Sequence, residues 1–188
     1  MKTFLLVFFS VGLFLTPSAV ASHSFYGIQS TTELFKGKYN LYEFKAPKGL
    51  FKRVGKDTYY CSLYKAYIKF HLNITYRMDE TGFYKKSDVI KYYKNGVQTT
   101  LLTDKADWFV LSGYTKNRDI VYFKGFYEEL RSMQGREKGT PDWMWSRSGV
   151  IEILYPEKFR KEIDPIVSIV NKSFKFDVSA TFELEMNP

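Results

Sequence analysis

Tyr67-Ile68-Lys69-Phe70-His71-Leu72-Asn73-Ile74-Thr75-Tyr76 decides the fold. Ile68, Phe70, Leu72, Ile74 and Tyr76 alternate with Tyr67, Lys69, His71, Asn73 and Thr75. Successive side chains of a strand point to opposite faces, so this period of two builds one apolar face and one polar face. The preceding residues, Thr58 to Leu63, are rich in aromatic, β-prone side chains, and Tyr64-Lys65-Ala66 interrupts them. If Tyr64-Lys65 closes a tight hairpin, Cys61 lies opposite Ile68 on the inward face, and His71 points outward opposite Thr58. A cysteine–histidine catalytic pair needs both side chains within hydrogen-bond reach, and this pairing puts them on two faces.

Working outward, Tyr39, Leu41, Tyr42 and Phe44 form a strand-like run that Pro47 and Gly49 stop. Residues 22–38 carry Gly, Ser and Thr without periodicity and read as a loosely ordered lead-in. Downstream, Ser87 can cap a helix of about two turns. It has Asp88 in its first turn, Val89, Ile90 and Tyr93 on one face, and Asn95-Gly96 as its stop. Thr99 to Leu102 reads as a strand. Asp107–Tyr114 and Asp119–Tyr127 flank the polar turn Thr115-Lys116-Asn117-Arg118, the grammar of a hairpin.

Leu130 to Ser146 holds Gly135, Gly139 and Pro141 and reads as the longest loop, and Val150 to Tyr155 returns to a β-rich run. Phe159, Ile163, Ile166, Val167, Val170 and Phe174 recur at helical spacing behind Pro156, which predicts an amphipathic helix covering a sheet. Pro165 predicts a kink or brief interruption near Asp164. Phe174, Phe176, Val178, Ala180, Phe182, Leu184 and Met186 alternate with polar residues, giving a last strand in the protein's own sheet or, if left unpaired there, an edge open to a partner by strand addition. The expected architecture is α+β: a single domain over residues 39–188, with an antiparallel sheet flanked by helices.

Residues 1–21 read as a signal peptide. Lys2 is basic, Phe4 to Leu15 is nearly all apolar, and Ala19-Val20-Ala21 offers a small-x-small cleavage site. That apolar run would span about 18 Å as a helix, short of the roughly 30 Å hydrocarbon layer. The expectation is export to a bacterial periplasm or the extracellular space, with a signal-anchored envelope protein as the alternative. No apolar run long enough to cross a membrane follows Ala21. The formal charge of +8 is scattered along the chain, so no nucleic-acid footprint stands out. Anionic lipid, polysaccharide or an envelope protein are the partners such a charge meets after export. Cys61 is the sole cysteine, so no disulfide forms within the chain and packing must hold the fold. Asn73-Ile74-Thr75 and Asn171-Lys172-Ser173 match the glycosylation sequon, which matters only in a glycosylating host.

Catalytic inventory is thin. The two histidines are His23, beside the cleavage site, and His71. There is no Gly-x-Ser-x-Gly elbow, no nucleotide-binding glycine fingerprint and no set of zinc ligands, so no catalytic residue, metal or cofactor is expected. Glu128 and Glu129 are adjacent and face opposite ways in a strand. The enzymatic alternative is an envelope-polymer hydrolase built from distant carboxylates about 5 to 9.5 Å apart. The candidate binding surface is Trp143-Met144-Trp145 flanked by Arg131, Arg136, Lys138 and Arg147, since indole beside guanidinium suits sugars, anionic lipid or a protein hot spot. Burial of both indoles beneath the loop is the competing reading.

Tyr42-Glu43-Phe44-Lys45-Ala46-Pro47, Trp108-Phe109-Val110-Leu111-Ser112-Gly113-Tyr114, Tyr122-Phe123-Lys124, and Tyr155-Pro156 leading through Asp164-Pro165-Ile166-Val167 to Ser173-Phe174 together resemble exported bacterial proteins of the PsbP-like class. The resemblance spans roughly Tyr39 to Phe174. It implies an α/β/α sandwich and a role as a binding or assembly module rather than an enzyme. It carries over no catalytic residue. The tail after Phe174 and the Trp-containing segment depart from the pattern.

Overall fold

The computed structural model describes residues 31–77, 85–132 and 143–177. Among these residues ten strands form two antiparallel sheets, and two helices pack on them, an α+β arrangement. The small sheet has the order β1 (Thr32–Lys36), β2 (Tyr42–Pro47), β10 (Lys175–Phe176). The large sheet runs β3 (Lys52–Gly55), β4 (Thr58–Cys61), β5 (Ala66–Arg77), β9 (Trp143–Pro156), β8 (Asp119–Ser132), β7 (Trp108–Tyr114), β6 (Gln98–Asp104). Helix α1 spans Lys86–Lys94 and α2 spans Arg160–Ser173. Among the described residues no helix is long and apolar enough to cross a membrane.

Strands β8 and β9 lie at the middle of the large sheet, and their stretches Ile120–Phe123 and Val150–Ile153 put buried side chains on both faces, which is why these stretches read as nearly continuous apolar runs. Val121, Phe123 and Val150 meet Phe109 and Leu111 on one face, where α1 lays Val89, Ile90 and Tyr93. Ile120, Tyr122, Ile151, Ile153 and Tyr155 occupy the other face and meet Ile163, Ile166 and Val170 of α2. The small sheet shares that second face. Tyr42 stacks on Phe70 with ring centroids 4.2 Å apart, and Phe44 meets Tyr59 edge-on at 5.4 Å. Each buried aliphatic side chain contributes about 1.5–3 kcal/mol, so covering both faces carries the stability that no disulfide supplies.

Several sequence expectations change here. Residues 32–36 fell in the loose lead-in but form β1, paired with β2 from Thr32↔Pro47 to Lys36↔Glu43. Tyr39 and Asn40 were read into the first strand; they instead turn the chain at φ 55° and 56°. The hairpin before β5 is wider than a two-residue turn: Cys61 pairs with Ala66 and Tyr59 with Ile68. That is a shift of two residues, so parity survives and Cys61 stays buried on the inward face. Ser87 does not cap α1. The N-cap is Lys85, whose backbone N–H donates to the Asp88 carboxylate at 2.9 Å. Helix α2 runs from Arg160 to Ser173 without interruption at Pro165, its sixth residue, where the proline forgoes one backbone hydrogen bond and the buried face of Ile163, Ile166 and Val170 holds the helix. The expected long loop begins too early and ends too late: β8 continues to Ser132 and β9 begins at Trp143. The signal peptide and the tail beyond Asp177 lie outside the described residues.

Side-chain contacts add to the pairing of β10 with β2. A Cβ on Gly149 would lie 2.5–2.7 Å from three atoms of the Phe176 ring, so the ring rests on bare backbone of β9. Gly149→Ala is expected to cost about 1–3 kcal/mol by overpacking, measured by urea unfolding, and most of that cost should vanish in a Phe176→Ala background.

Lys175 Nζ lies 2.9 Å from Glu43 Oε1, and this hydrogen bond holds the Glu43 carboxyl below its ordinary value of 4.5. With the folded value depressed, the contribution is complete above pH 4.5 and is lost as pH falls through the folded value. Urea titrations at stepped pH should show stability falling more steeply below 4.5 in the wild type than in Glu43→Gln.

Candidate functional site

The second face of the sheet is covered by two separate pieces, and beyond α2 it stays open. A groove of about 310 Å³ runs between α2 and strands β6, β7 and β8. Strand parity builds its floor: Ser112, Tyr114, Ile120 and Tyr122 project from paired positions, with Ser112 opposite Tyr122 and Tyr114 opposite Ile120. Tyr155 of β9 closes one wall, and Arg160, Asp164, Val167, Ser168 and Asn171 of α2 form the other.

Several polar groups in and beside this groove are already paired. Tyr155 O–H donates to Asp164 Oδ1 at 2.6 Å, and Arg160 Nε donates to Asp164 Oδ2 at 3.2 Å. Arg160 Nη1 donates to the Tyr114 hydroxyl oxygen at 3.3 Å. Lys124 Nζ donates to the backbone carbonyl of Asn171 at 2.7 Å, and burial lowers the Lys124 pKa. Burial, then the bond to Asp164, raises the Tyr155 pKa. The Tyr122 hydroxyl differs from all of these. It is sealed from solvent, has no hydrogen-bond partner among the described residues, and burial raises its pKa. Leaving a buried hydroxyl unsatisfied costs about 1–3 kcal/mol, and Tyr122 is also one of the residues that line the groove.

The α1 face carries a second polar group. His71 lies on the face opposite Cys61, as expected, and there its Nε2 lies 2.6 Å from Glu152 Oε2 and its ring meets Tyr93 of α1 edge-on at 5.8 Å. The reason is cross-strand geometry: β9 places Glu152 opposite Lys69, one diagonal step from His71. Beside it, Tyr60 and Tyr67 pack with centroids 4.5 Å apart, above a groove of about 280 Å³ lined by Thr58, Tyr67, Lys69, Glu152 and Leu154. Among the described residues, Asp164 is the one carboxylate in the α2 groove and Glu152 the one in this groove. Neither assembles the acid pair that a glycosidase needs. No cluster of three potential metal ligands occurs among the described residues.

Of the residues proposed from sequence, three lie in a strand rather than in a loop. Trp143, Trp145 and Arg147 occupy alternate positions of β9, opposite Ser132, Leu130 and Glu128 of β8. Arg147 is 0 % exposed, so its guanidinium cannot serve as a surface contact. Its burial follows from parity, since Arg147, Gly149, Ile151 and Ile153 share one face of one strand. Arg136 and Lys138 lie outside the described residues. Tyr155 and Trp143 sit near opposite ends of a strand of 14 residues, roughly 40 Å apart at about 3.3 Å per residue. The groove and the tryptophans are therefore different places. The groove escaped sequence reading because its residues come from five elements.

Comparison with protein-family models and with curated proteins finds no match for the chain. The hydrogen-bond ledger makes its own prediction. Tyr155→Phe should cost about 1–2 kcal/mol, less than a fully buried bond to a charge because Asp164 is half-exposed. Tyr122→Phe should be neutral or slightly stabilising, since it removes a hydroxyl that bonds to nothing in the described residues. Chemical denaturation of the two variants side by side checks the contrast.

Proposed function

We propose that the chain is an exported, non-enzymatic binding module whose ligand enters the groove between α2 and strands β6–β8. The observation that carries this reading is the buried, unpartnered Tyr122 hydroxyl on the groove floor. The charged groups nearby are already committed, Asp164 to Tyr155 and Arg160, and Lys124 to a backbone carbonyl. They hold the groove's shape, and they are poorly placed to act as acid, base or nucleophile.

Export rests on the leader-like residues 1–21, with Ser22 as the first mature residue. Helices on opposite faces of an antiparallel sheet support a reading as an α/β/α sandwich of the PsbP-like class, with the three-stranded sheet as an addition. The partner is then an envelope component: a protein, an anionic lipid surface or a polysaccharide.

Two measurements test the proposal. Expressed from its full sequence in a bacterial host, the protein should appear in the exported fraction with an intact mass beginning at Ser22. A chain that keeps Met1 and stays in the membrane fraction would instead be signal-anchored. Affinity capture from envelope extract should succeed with the wild type and fail with Ser168→Trp, which fills the groove from an exposed helix position. Equal capture by both would remove the groove from the function.

A further inference from the structure

Resting on the reading of this groove as the ligand site, we infer that its occupant is an uncharged, hydroxyl-rich saccharide unit. The chemistry of the lining selects that class. Thr100, Ser112, Tyr114, Tyr122, Tyr155 and Ser168 all contribute hydroxyls, and each hydroxyl can both donate and accept. Sugar hydroxyls do the same, and they can donate to Tyr155 and Thr100, whose own hydrogens are already given to Asp164 and to the Ser112 carbonyl. Tyr114 already accepts from Arg160, which leaves its O–H hydrogen to donate, and Tyr122 has both roles open among the described residues. Leu101, Ile120 and Val167 supply apolar surface for the C–H face of a ring.

Charge argues against an anion. Arg160 is the exposed cation of the groove, and Asp164 is hydrogen-bonded to it, so a phosphate or carboxylate would meet a carboxylate of its own sign beside its only exposed cation among the lining residues. Backbone pairing argues against a peptide. An extended peptide gains affinity by adding to a free strand edge; β7 and β8, which make the floor, are paired on both sides, and of the lining strands β6 alone has a free edge, outside that floor. The volume, about 310 Å³, lies at the lower end of the roughly 300–1,000 Å³ range of small-ligand clefts, which suits a single ring at the end of a chain.

The test titrates the mature chain with methyl glucoside, N-acetylglucosamine, inorganic phosphate and N-acetylalanine methylamide, followed by two-dimensional amide NMR. Either sugar is expected to give saturable shifts at Ser112, Ile120 and Asn171, and phosphate and the amide none. Tyr122→Phe should weaken the sugar about three- to tenfold, the effect of one lost hydrogen bond, and Ser168→Trp should abolish the shifts. Shifts from phosphate or from the amide in place of sugar would overturn the ligand class and leave the groove as the site. Sugar binding unchanged by both variants would overturn the proposal by placing the sugar elsewhere. If no probe shifts these amides, the saccharide proposal falls. The groove reading then stands or falls separately on whether Ser168→Trp abolishes envelope capture.

Discussion

The pairing of β5, β9 and β8 is the constraint on which the rest of this protein depends. Eleven residue pairs join β5 to β9, from Tyr67↔Leu154 to Arg77↔Met144, and fourteen join β9 to β8, from Asp119↔Pro156 to Ser132↔Trp143. Because the side-chain period is two, this register fixes every side chain of the central strands to one face or the other. Both faces are then apolar and both need cover. One receives α1. The other receives α2 and the small sheet side by side, and a face covered by two pieces has a margin. The α2 groove is that margin, at the side of α2 toward the edge strand β6.

The margin has an energetic cost that the core does not need to bear. A phenylalanine at position 122 would serve the packing of Ile120, Ile151 and Ile153 without burying an unpartnered hydroxyl. Neighbouring Tyr155 shows the opposite case, in which a buried phenol is satisfied by Asp164 and ties β9 to the first turns of α2. Natural folds break their own packing rules mainly where a function needs it. One satisfied and one unsatisfied tyrosine on adjacent strands fit a wall held rigid on one side and left receptive on the other.

Local pattern made much of this fold legible. The alternation from Ile68 to Tyr76 gave β5, the spacing of Val89, Ile90 and Tyr93 gave the buried face of α1, and Ile163, Ile166 and Val170 gave that of α2. The placement of Cys61 and His71 on opposite faces even survived an error of two residues in the turn, because parity is blind to even shifts. What failed were elements whose burial is not local. Strand β1 alternates exposed and half-buried residues and gains its stability from β2 rather than from its own sequence. Within β9, Ser146-Arg147-Ser148 is a polar signature, yet all three are buried in a strand paired with β5 on one side and β8 on the other. The groove was illegible for the same reason, since β6, β7, β8, β9 and α2 meet there only in three dimensions.

His71 and Glu152 show how a pair that resembles catalytic machinery can belong to the architecture. The carboxylate on β9 holds the imidazole on β5, the imidazole edge rests on Tyr93 of α1, and the Tyr93 ring lies 4.8 Å from that of Phe123 on β8. Four elements are thus linked across one face by a chain of short contacts. α1 needs such a link, because it is only nine residues long and helices of that length are marginal without tertiary packing. The same polarity that suggests proton transfer orients the ring that anchors the helix. A nucleophile partnered with His71 would have to come from its own side of the sheet, and Cys61 is held on the other by the pairing that builds the core.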